Sequence, residues 1–348
     1  MKRPVLKPSA LKRPVLKPLP LLLALAVTAS CSTYYDPCFP TESLVSDLRI
    51  LAVRADPPEA LYDPGQDPPP VNVQALVVHP DPLYPRFEVR ARLCVPPAVA
   101  GPCPDGTPIV RRGFGRQDQP PVLKIQVART LLEAARAADT LKGYGGVRVQ
   151  LDLEVPSSTT SVFATKILLF SPRTPDAQPN HGLELTALTV LVPDSFAQEL
   201  QPGGGVSLEV GTNVGLVPRI GPGPGGTEAA EEYVTTDLSG ATVHLRERIS
   251  YSFFTTPHLQ YGPAGNPKAG ADQADEPAPG ATAPPHGLTQ MVALSQNNGR
   301  FWVVARDGRG GVAWGMFSFV SVDNRTCVNP VDEGGVTNHC ANLEISCG

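Results

Sequence analysis

The chain has 348 residues, of which 29 are basic and 33 acidic, and its formal net charge is −4. This length is enough for two domains rather than one small one. The acidic balance argues against a nucleic-acid-binding protein, because phosphate contact requires clustered lysine and arginine. Arg111, Arg112 and Arg116 form the only local basic cluster outside the N-terminal region, and we interpret them as a solvated loop.

The first 30 residues have the three parts of a secretory signal peptide. Six basic residues and no acidic one precede Leu21, and the small residues Ala29 and Ser30 end the apolar run. That run has about ten residues, whereas a helix needs about 20 to cross a bilayer, so a transmembrane anchor is not expected. Removing residues 1–30 with their six basic side chains leaves 23 basic against 33 acidic residues.

Cys31 directly follows the small residues, and this arrangement resembles the signal of bacterial lipoproteins. In that family the cysteine is lipidated and becomes the first residue of the mature chain. The resemblance implies a membrane anchor of acyl chains, in which each buried CH₂ contributes about 0.8 kcal/mol. Thr28 departs from the usual aliphatic residue three positions before the cysteine, so an ordinary signal peptide with Cys31 in a disulfide stays open. Ser32, which is not Asp, implies the outer membrane rather than the inner, facing the periplasm or the cell surface.

The cysteine count fits an oxidising compartment. The chain has seven cysteines, so lipidation of Cys31 leaves six, an even number suited to disulfides. Cys94 and Cys103 enclose a short Pro-rich loop and are predicted to pair. The remaining four are predicted to pair among themselves: Cys38, Cys327, Cys340 and Cys347. No C-x₂-C motif occurs and His339 is isolated beside its neighbouring cysteine, so a zinc site is not expected.

A tether over residues 31–46 precedes the first predicted strands. Alternation of apolar and polar residues predicts strands with one buried face. In the first half these strands are Leu48–Val53, Val71–Val78, Phe87–Leu93, Val147–Val155 and Ser161–Phe170. A helix is predicted over Ala128–Leu141, because apolar residues recur there at helical spacing and Gly143 stops it.

The second half repeats this plan. Its predicted strands are Leu183–Leu191, Val206–Val210, Ile249–Thr255, Phe301–Arg306 and Val312–Val320. We align Val206–Val210 with Val71–Val78, and the final hairpin with the last two strands of the first half. The stretches 211–232 and 256–287, rich in Pro and Gly, are predicted to be long loops, with a composition typical of disorder.

Short strands separated by Pro- and Gly-rich turns are typical of a β-sandwich. We therefore predict an all-β chain with two sandwich domains in tandem, over 47–175 and 180–325, one short helix in the first, and a cysteine-containing tail over 326–348. The segments RILAVRADPPEALYDPG and FWVVARDGRGGVAWGMFSF resemble the opening strand and the closing hairpin of immunoglobulin-like or PKD-like domains in lipoproteins of high-GC Gram-negative bacteria. This resemblance implies an immunoglobulin-like fold and a cell-envelope location, and it implies no particular activity.

The sequence lacks the common catalytic and cofactor-binding motifs. The glycines of Gly221–Gly226 come without the Lys and Ser/Thr of a P-loop, and the intervening prolines remove amide donors. No G-x-S-x-G motif occurs. The histidines are scattered singly, without the spacing of a helical metal pair: His79, His181, His244, His258, His286 and His339. We therefore expect no cofactor and no enzyme activity.

Two weaker candidates for ligand contact remain. Asp272, Asp275 and Glu276 could contribute to a calcium site, although three acids fall short of the six to eight oxygens that calcium takes. Trp302 and Trp314 flank the last predicted turn and could stack on sugars, while packing on a half-buried sheet is the alternative.

Together these observations predict a non-catalytic cell-envelope lipoprotein whose sandwich domains bind a protein or a glycan, with a lipid anchor to the membrane and no nucleic-acid partner. Two alternatives stay open. One is a purely structural spacer in the envelope. The other is a hydrolase with an unconventional site between the domains, which would need convergent carboxylates or a His–carboxylate pair in a cleft.

Overall fold

The computed structural model describes residues 43–157, 160–173, 178–192, 197–222, 230–236, 242–257, 259–261, 288–293 and 297–322. All of them lie within one compact unit, Pro40–Glu344. The described chain forms 19 strands and one helix of ten residues. That helix is too short to cross a membrane, so no helix in the described residues could span one. The predicted signal peptide, 1–30, and the predicted tail, 326–348, lie outside the described residues.

The first half forms two sheets that enclose one core. Its strands are β1 (Arg49–Asp56), β2 (Glu59–Tyr62), β3 (Val71–Val78), β4 (Phe87–Cys94), β5 (Ile109–Gly115), β6 (Leu123–Ile125), β7 (Val147–Val155) and β8 (Val162–Pro172), with helix α1 (Arg129–Ala138) before β7. One sheet has the order β1-β3-β6 and the other β2-β8-β7-β4-β5. The inward residues of both sheets form a single buried cluster between Leu48 and Phe170, as the alternation predicts.

The second half has the same two-layer arrangement. Its strands are β9 (Leu185–Leu191), β10 (Gln198–Leu200), β11 (Gly205–Glu209), β12 (Asn213–Ile220), β13 (Glu232–Thr236), β14 (Thr242–Arg246), β15 (Ser250–Thr255), β16 (Leu259–Tyr261), β17 (Thr289–Ala293), β18 (Asn298–Arg306) and β19 (Val312–Val322). The sheets β10-β9-β12-β17-β16 and β11-β19-β18-β15 enclose a second core, and β13-β14 is a separate hairpin.

Both halves follow one strand plan. The opening strand pairs antiparallel with the long strand of the same sheet, β1 with β3 and β9 with β12. A short strand then crosses to the other sheet and pairs in parallel with the last strand, β2 with β8 and β11 with β19. The final two strands form an antiparallel pair in each half. This is an immunoglobulin-like sandwich repeated in tandem, so the predicted fold class is confirmed.

The predicted loop over 211–232 is wrong for residues 213–220, which form β12 inside the sheet. Val214, Leu216 and Val217 are buried there between β9 and β17. The equivalent of β3 is therefore β12, whereas the segment containing Val206 is the equivalent of β2. Burial between two neighbouring strands outweighs the low strand propensity of Gly and Pro in this stretch. In the predicted loop 256–287, residues 259–261 form β16, while 258 and 262–287 lie outside the described residues.

Two local predictions also change. The helix ends at Ala138 instead of Leu141, because the Asp139 side chain accepts hydrogen bonds from the backbone N–H groups of Leu141 and Gly143, both at 3.0 Å, and so closes a turn. Arg111 and Arg112 lie in β5 and not in a loop, because β5 pairs with β4 along most of its length.

Candidate functional site

The two sandwiches meet through an apolar cluster that is separate from either core. It contains residues from both halves: Val45, Leu51, Ala52, Leu76, Val78, Trp302, Val304 and Val312. Strand β18 faces the second core with one set of side chains and this cluster with the other. Burial on both faces explains the continuous apolar run in β18, which does not alternate.

The junction decides the role of the two tryptophans. Trp302 is 1% exposed, so neither face of its ring is free to stack on a sugar. Trp314 packs at the edge of the same cluster, and the guanidinium carbon of Arg54 lies 5.0 Å from its ring centroid. The packing alternative therefore describes both residues better than the sugar-stacking one.

A short N-terminal strap, residues 43–45, crosses to the second sandwich before the chain enters the first. The backbone N–H of Val45 donates to the carbonyl of Thr255 at 2.8 Å, and the N–H of Thr255 donates to the carbonyl of Ser43 at 2.9 Å. Val45 is fully buried in the junction cluster. The prediction of a tether over 31–46 is therefore wrong for its last residues, and residues 31–42 lie outside the described chain.

The turn between β18 and β19 is built around the buried carboxylate of Asp307. One of its oxygens accepts hydrogen bonds from the backbone N–H groups of Arg309, Gly310 and Gly311, at 2.7, 2.9 and 2.9 Å. Gly308 and Gly310 have φ values of +82° and +115°, which residues with a side chain rarely adopt. The turn thus fixes the backbone from which Arg309 projects.

Arg309 connects the two sandwiches through several partners at once. Its guanidinium nitrogens lie 3.1 Å from a carboxylate oxygen of Glu59, 3.1 Å from one of Glu247 and 3.7 Å from one of Glu231. The guanidinium carbon also lies 4.2 Å from the ring centroid of Tyr233. Glu59 belongs to β2 of the first sandwich, while the other partners lie in or beside the β13-β14 hairpin of the second. One side chain therefore cross-links the two halves.

The carboxylates around Arg309 are themselves held in place. Glu59 accepts hydrogen bonds from the Ser171 hydroxyl and, at 2.9 Å, from the backbone N–H of Asn180. Glu247 is 3% exposed, and this burial raises its pKa, with the nearby carboxylates of Asp307 and Glu231 adding to the effect. We refer to Arg309 with Glu59, Glu231 and Glu247 as the junction network.

A cleft of about 700 Å³ opens beside the junction network, and Lys166, Arg148 and Arg309 contribute to its walls. The Lys166 ammonium donates to the carbonyl of Gly310 at 2.7 Å, and burial lowers its pKa. His181 lies 2.8 Å from Glu231, which gives the His–carboxylate pair that a hydrolase would need. The same glutamate, however, faces Arg309, as do Glu59 and Glu247.

This geometry suits cross-linking better than acid–base catalysis. A pair of catalytic carboxylates must reach the substrate, one as acid and one as base. Here one guanidinium lies among all three glutamates and occupies the space between them. In the described part of the chain, no group of three His, Cys, Asp or Glu residues is placed to hold a metal ion.

Few of the residues predicted to matter come together. The disulfide between Cys94 and Cys103 is present, as predicted. The remaining candidates lie outside the described residues: Cys31, Cys38, Asp272, Asp275, Glu276, Cys327, Cys340 and Cys347. Sequence reasoning missed the junction network, since Glu59 and Arg309 are 250 positions apart. The only local hint was Glu59, an acidic residue at the start of the otherwise apolar strand β2.

Comparison with known proteins finds distant similarity only. No family model matches the chain, and no curated protein matches its sequence. Solved structures similar to it include red sea bream transglutaminase, at 11% identity and TM-score 0.23 over 80% of this chain and 32% of that one. The chain thus corresponds to about a third of the transglutaminase.

Two further solved structures are similar to the chain. They are a chimeric titin Z1Z2-Z1Z2 tandem, at 12% identity and TM-score 0.22 over 79% of this chain and 99% of that one, and the fibronectin(III)-like modules of Clostridium thermocellum CbhA, at 10% identity and TM-score 0.19 over 82% and 94%. Similarity this low says nothing about what the chain binds.

Proposed function

We propose that the chain is a non-catalytic cell-envelope lipoprotein, anchored through Cys31, whose two sandwiches form one rigid platform for binding a protein or a glycan. The observation that supports a rigid platform is the junction. Domains joined by an exposed linker move independently by default, unless a large apolar interface restrains them. Here an apolar cluster, the junction network and the strap all join the same two sandwiches.

The strap also constrains how an anchored protein would sit. Twelve residues, 31–42, connect the proposed lipid attachment to Ser43. A chain of that length spans at most about 40 Å when fully extended. Because the strap pairs with the second sandwich, an anchor at Cys31 would hold the junction near the membrane, with the outer sheet faces available for contact.

The anchor is tested by intact-mass analysis of the protein extracted from membranes. We expect a chain that begins at Cys31, carries the added mass of acyl groups, and lacks free thiols among its other six cysteines. A Cys31→Ser variant should leave the membrane fraction, whereas a matched Cys38→Ser variant should remain in it. A chain with its N-terminal residues intact, or with Cys31 in a disulfide, would contradict the anchor.

The binding role is tested against the spacer alternative in cells that lack the protein. Complementation with variants carrying clustered substitutions on exposed sheet faces should fail if the protein acts by binding. If such variants restore the phenotype as well as the native chain does, the protein is a spacer, and the binding proposal is wrong.

A further inference from the structure

The outer face of the sheet β2-β8-β7-β4-β5 carries a chain of alternating charges. Arg112 lies 3.3 Å from Glu88, and Glu88 lies 2.9 Å from Arg90. Arg90 is 3.9 Å from Glu154, which in turn is 2.8 Å from Arg92. These five residues, on three adjacent strands, form what we call the charge ladder.

All five residues lie on the outer face, and the arginines of the charge ladder are more exposed than its glutamates. The side chains of Arg112, Arg90 and Arg92 are 57%, 29% and 28% exposed, whereas those of Glu88 and Glu154 are 16% and 13% exposed. The hydrogen bond from Arg90 lowers the pKa of Glu88, so this part of the ladder stays ionised in mildly acidic solution. The carboxylates therefore hold the planar guanidinium groups in position.

The charge ladder and its neighbour Asp152 are electrically balanced although they are highly charged. Asp152, beside the ladder on β7, is buried and accepts hydrogen bonds from Thr165 and Gln150, both at 2.9 Å, and from the backbone N–H of Cys103. With Asp152 included, three carboxylates offset the three guanidinium groups. This balance favours neither a polyanion nor a polycation as the partner.

Two exposed aromatic rings flank the charge ladder. Phe163 on β8 is directly opposite Glu154, and Phe114 on β5 is directly opposite Glu88. They are 65% and 64% exposed, which is unusual for side chains of this size. From the strand spacing and the rise per residue, the two positions are roughly 16 Å apart, on opposite sides of the ladder.

We propose that this face binds a neutral polysaccharide. Phe163 and Phe114 would stack on sugar rings, and the charge ladder would exchange hydrogen bonds with hydroxyl groups, each of which both donates and accepts. Arginine and aromatic residues are enriched at the centres of protein interfaces, whereas glutamate is depleted there. A protein partner fits less well, because its interface would remove Glu88 and Glu154 from water at a high desolvation cost. The inference rests on the proposed binding function and names its ligand.

Affinity electrophoresis of the full-length protein in non-ionic detergent tests this inference, with dextran, mannan and laminarin as neutral probes and alginate as the anionic one. At least one neutral polysaccharide should retard the protein. Phe163→Ala and Phe114→Ala should each weaken that binding about tenfold, as expected for loss of one aromatic contact. Phe163→Tyr should retain binding, and Val320→Ala, a truncation of an exposed apolar residue on β19, should not change it.

Three results would overturn the inference: no retardation by any neutral probe, retardation by alginate alone, or neutral binding that both Phe→Ala variants leave unchanged. Because both rings are exposed, their truncation should not unfold the sandwich, and circular dichroism of each variant checks this. The proposed function fails separately, in the membrane-extraction and complementation experiments. If the lipoprotein acts only through a protein partner that binds another face, the polysaccharide inference is wrong and the proposed function stands.

Discussion

Equivalent faces of the two sandwiches have opposite chemistry. In the second sandwich the outer face of the sheet β11-β19-β18-β15 carries an apolar patch, in which Trp302 and Val304 are buried against the first sandwich. In the first sandwich the corresponding face, on β2-β8-β7-β4-β5, carries the charge ladder and is open to solvent. The difference teaches that the strand plan alone does not select the interface. The residues that alternate outward decide which face packs and which stays free.

The energetic reason lies in the cost of burying charge. Packing another layer onto the charge ladder would remove several ionised groups from water, and the desolvation penalty of such pairs can exceed their mutual attraction. Covering Trp302 and Val304 instead removes apolar surface from water at about 25 cal/mol per Å². The sandwiches therefore associate through the face of the second one.

The largest effect is expected from truncating the apolar face. Trp302→Ala should lower the free energy of unfolding by about 3–5 kcal/mol, because it leaves a cavity in the junction cluster. Phe163→Ala, the matched aromatic truncation on the open face, should change it by no more than about 0.5 kcal/mol. Urea denaturation of both variants measures the contrast, and equal losses would contradict it.

The second-largest loss of stability is expected from removing the guanidinium of Arg309. Arg309→Met should cost about 3 kcal/mol at neutral pH, because it leaves Glu59, Glu231 and Glu247 close together without their counter-ion. The loss should shrink as the pH falls and the carboxylates become protonated. Arg173→Met, which breaks an exposed pair with Asp63, should cost at most about 1 kcal/mol. A loss at Arg309 no larger than that would mean that the network does not join the sandwiches.

The strap should contribute less. Val45→Ala removes two buried methyl groups and should cost about 1.5 kcal/mol. Val122→Ala, at an exposed position, serves as the control and should leave the unfolding midpoint unchanged. If urea denaturation finds the two variants equally stable, residues 43–45 do not hold the junction.

The smallest expected effect is the contribution of Glu247 to the pH dependence of stability. Burial raises the pKa of Glu247 above its ordinary value of 4.5, so the folded state binds this proton more tightly than the unfolded state. The stabilisation is complete below that ordinary value and is lost as the pH rises through the raised one. Over this window the native chain should lose stability relative to Glu247→Gln, while Glu133→Gln on the exposed helix surface should follow the native chain. Urea denaturation across the pH range measures the difference in stability between the native chain and Glu247→Gln. Parallel stability curves for the two chains would contradict this prediction.

The sequence by itself determined the local features of this protein. Alternation in segments such as Phe87–Leu93 predicted strands with one buried face, and the Cys94–Cys103 pair was predicted from the short loop between them. These predictions hold because side-chain period and loop closure depend on neighbours in the chain. The outward position of Arg90 and Arg92 also follows from the alternation, although their pairing with Glu154 does not.

Only the tertiary structure decided what is long-range. It made β12 a strand despite its Gly and Pro, placed Trp302 in a junction instead of on a surface, and brought Glu59 to Arg309 across 250 positions. Each of these depends on which faces pack together, and packing is set by the burial of surfaces that are distant in sequence. No local pattern encodes the partner of a face, so the junction network and the open ladder emerge only when both sandwiches are assembled.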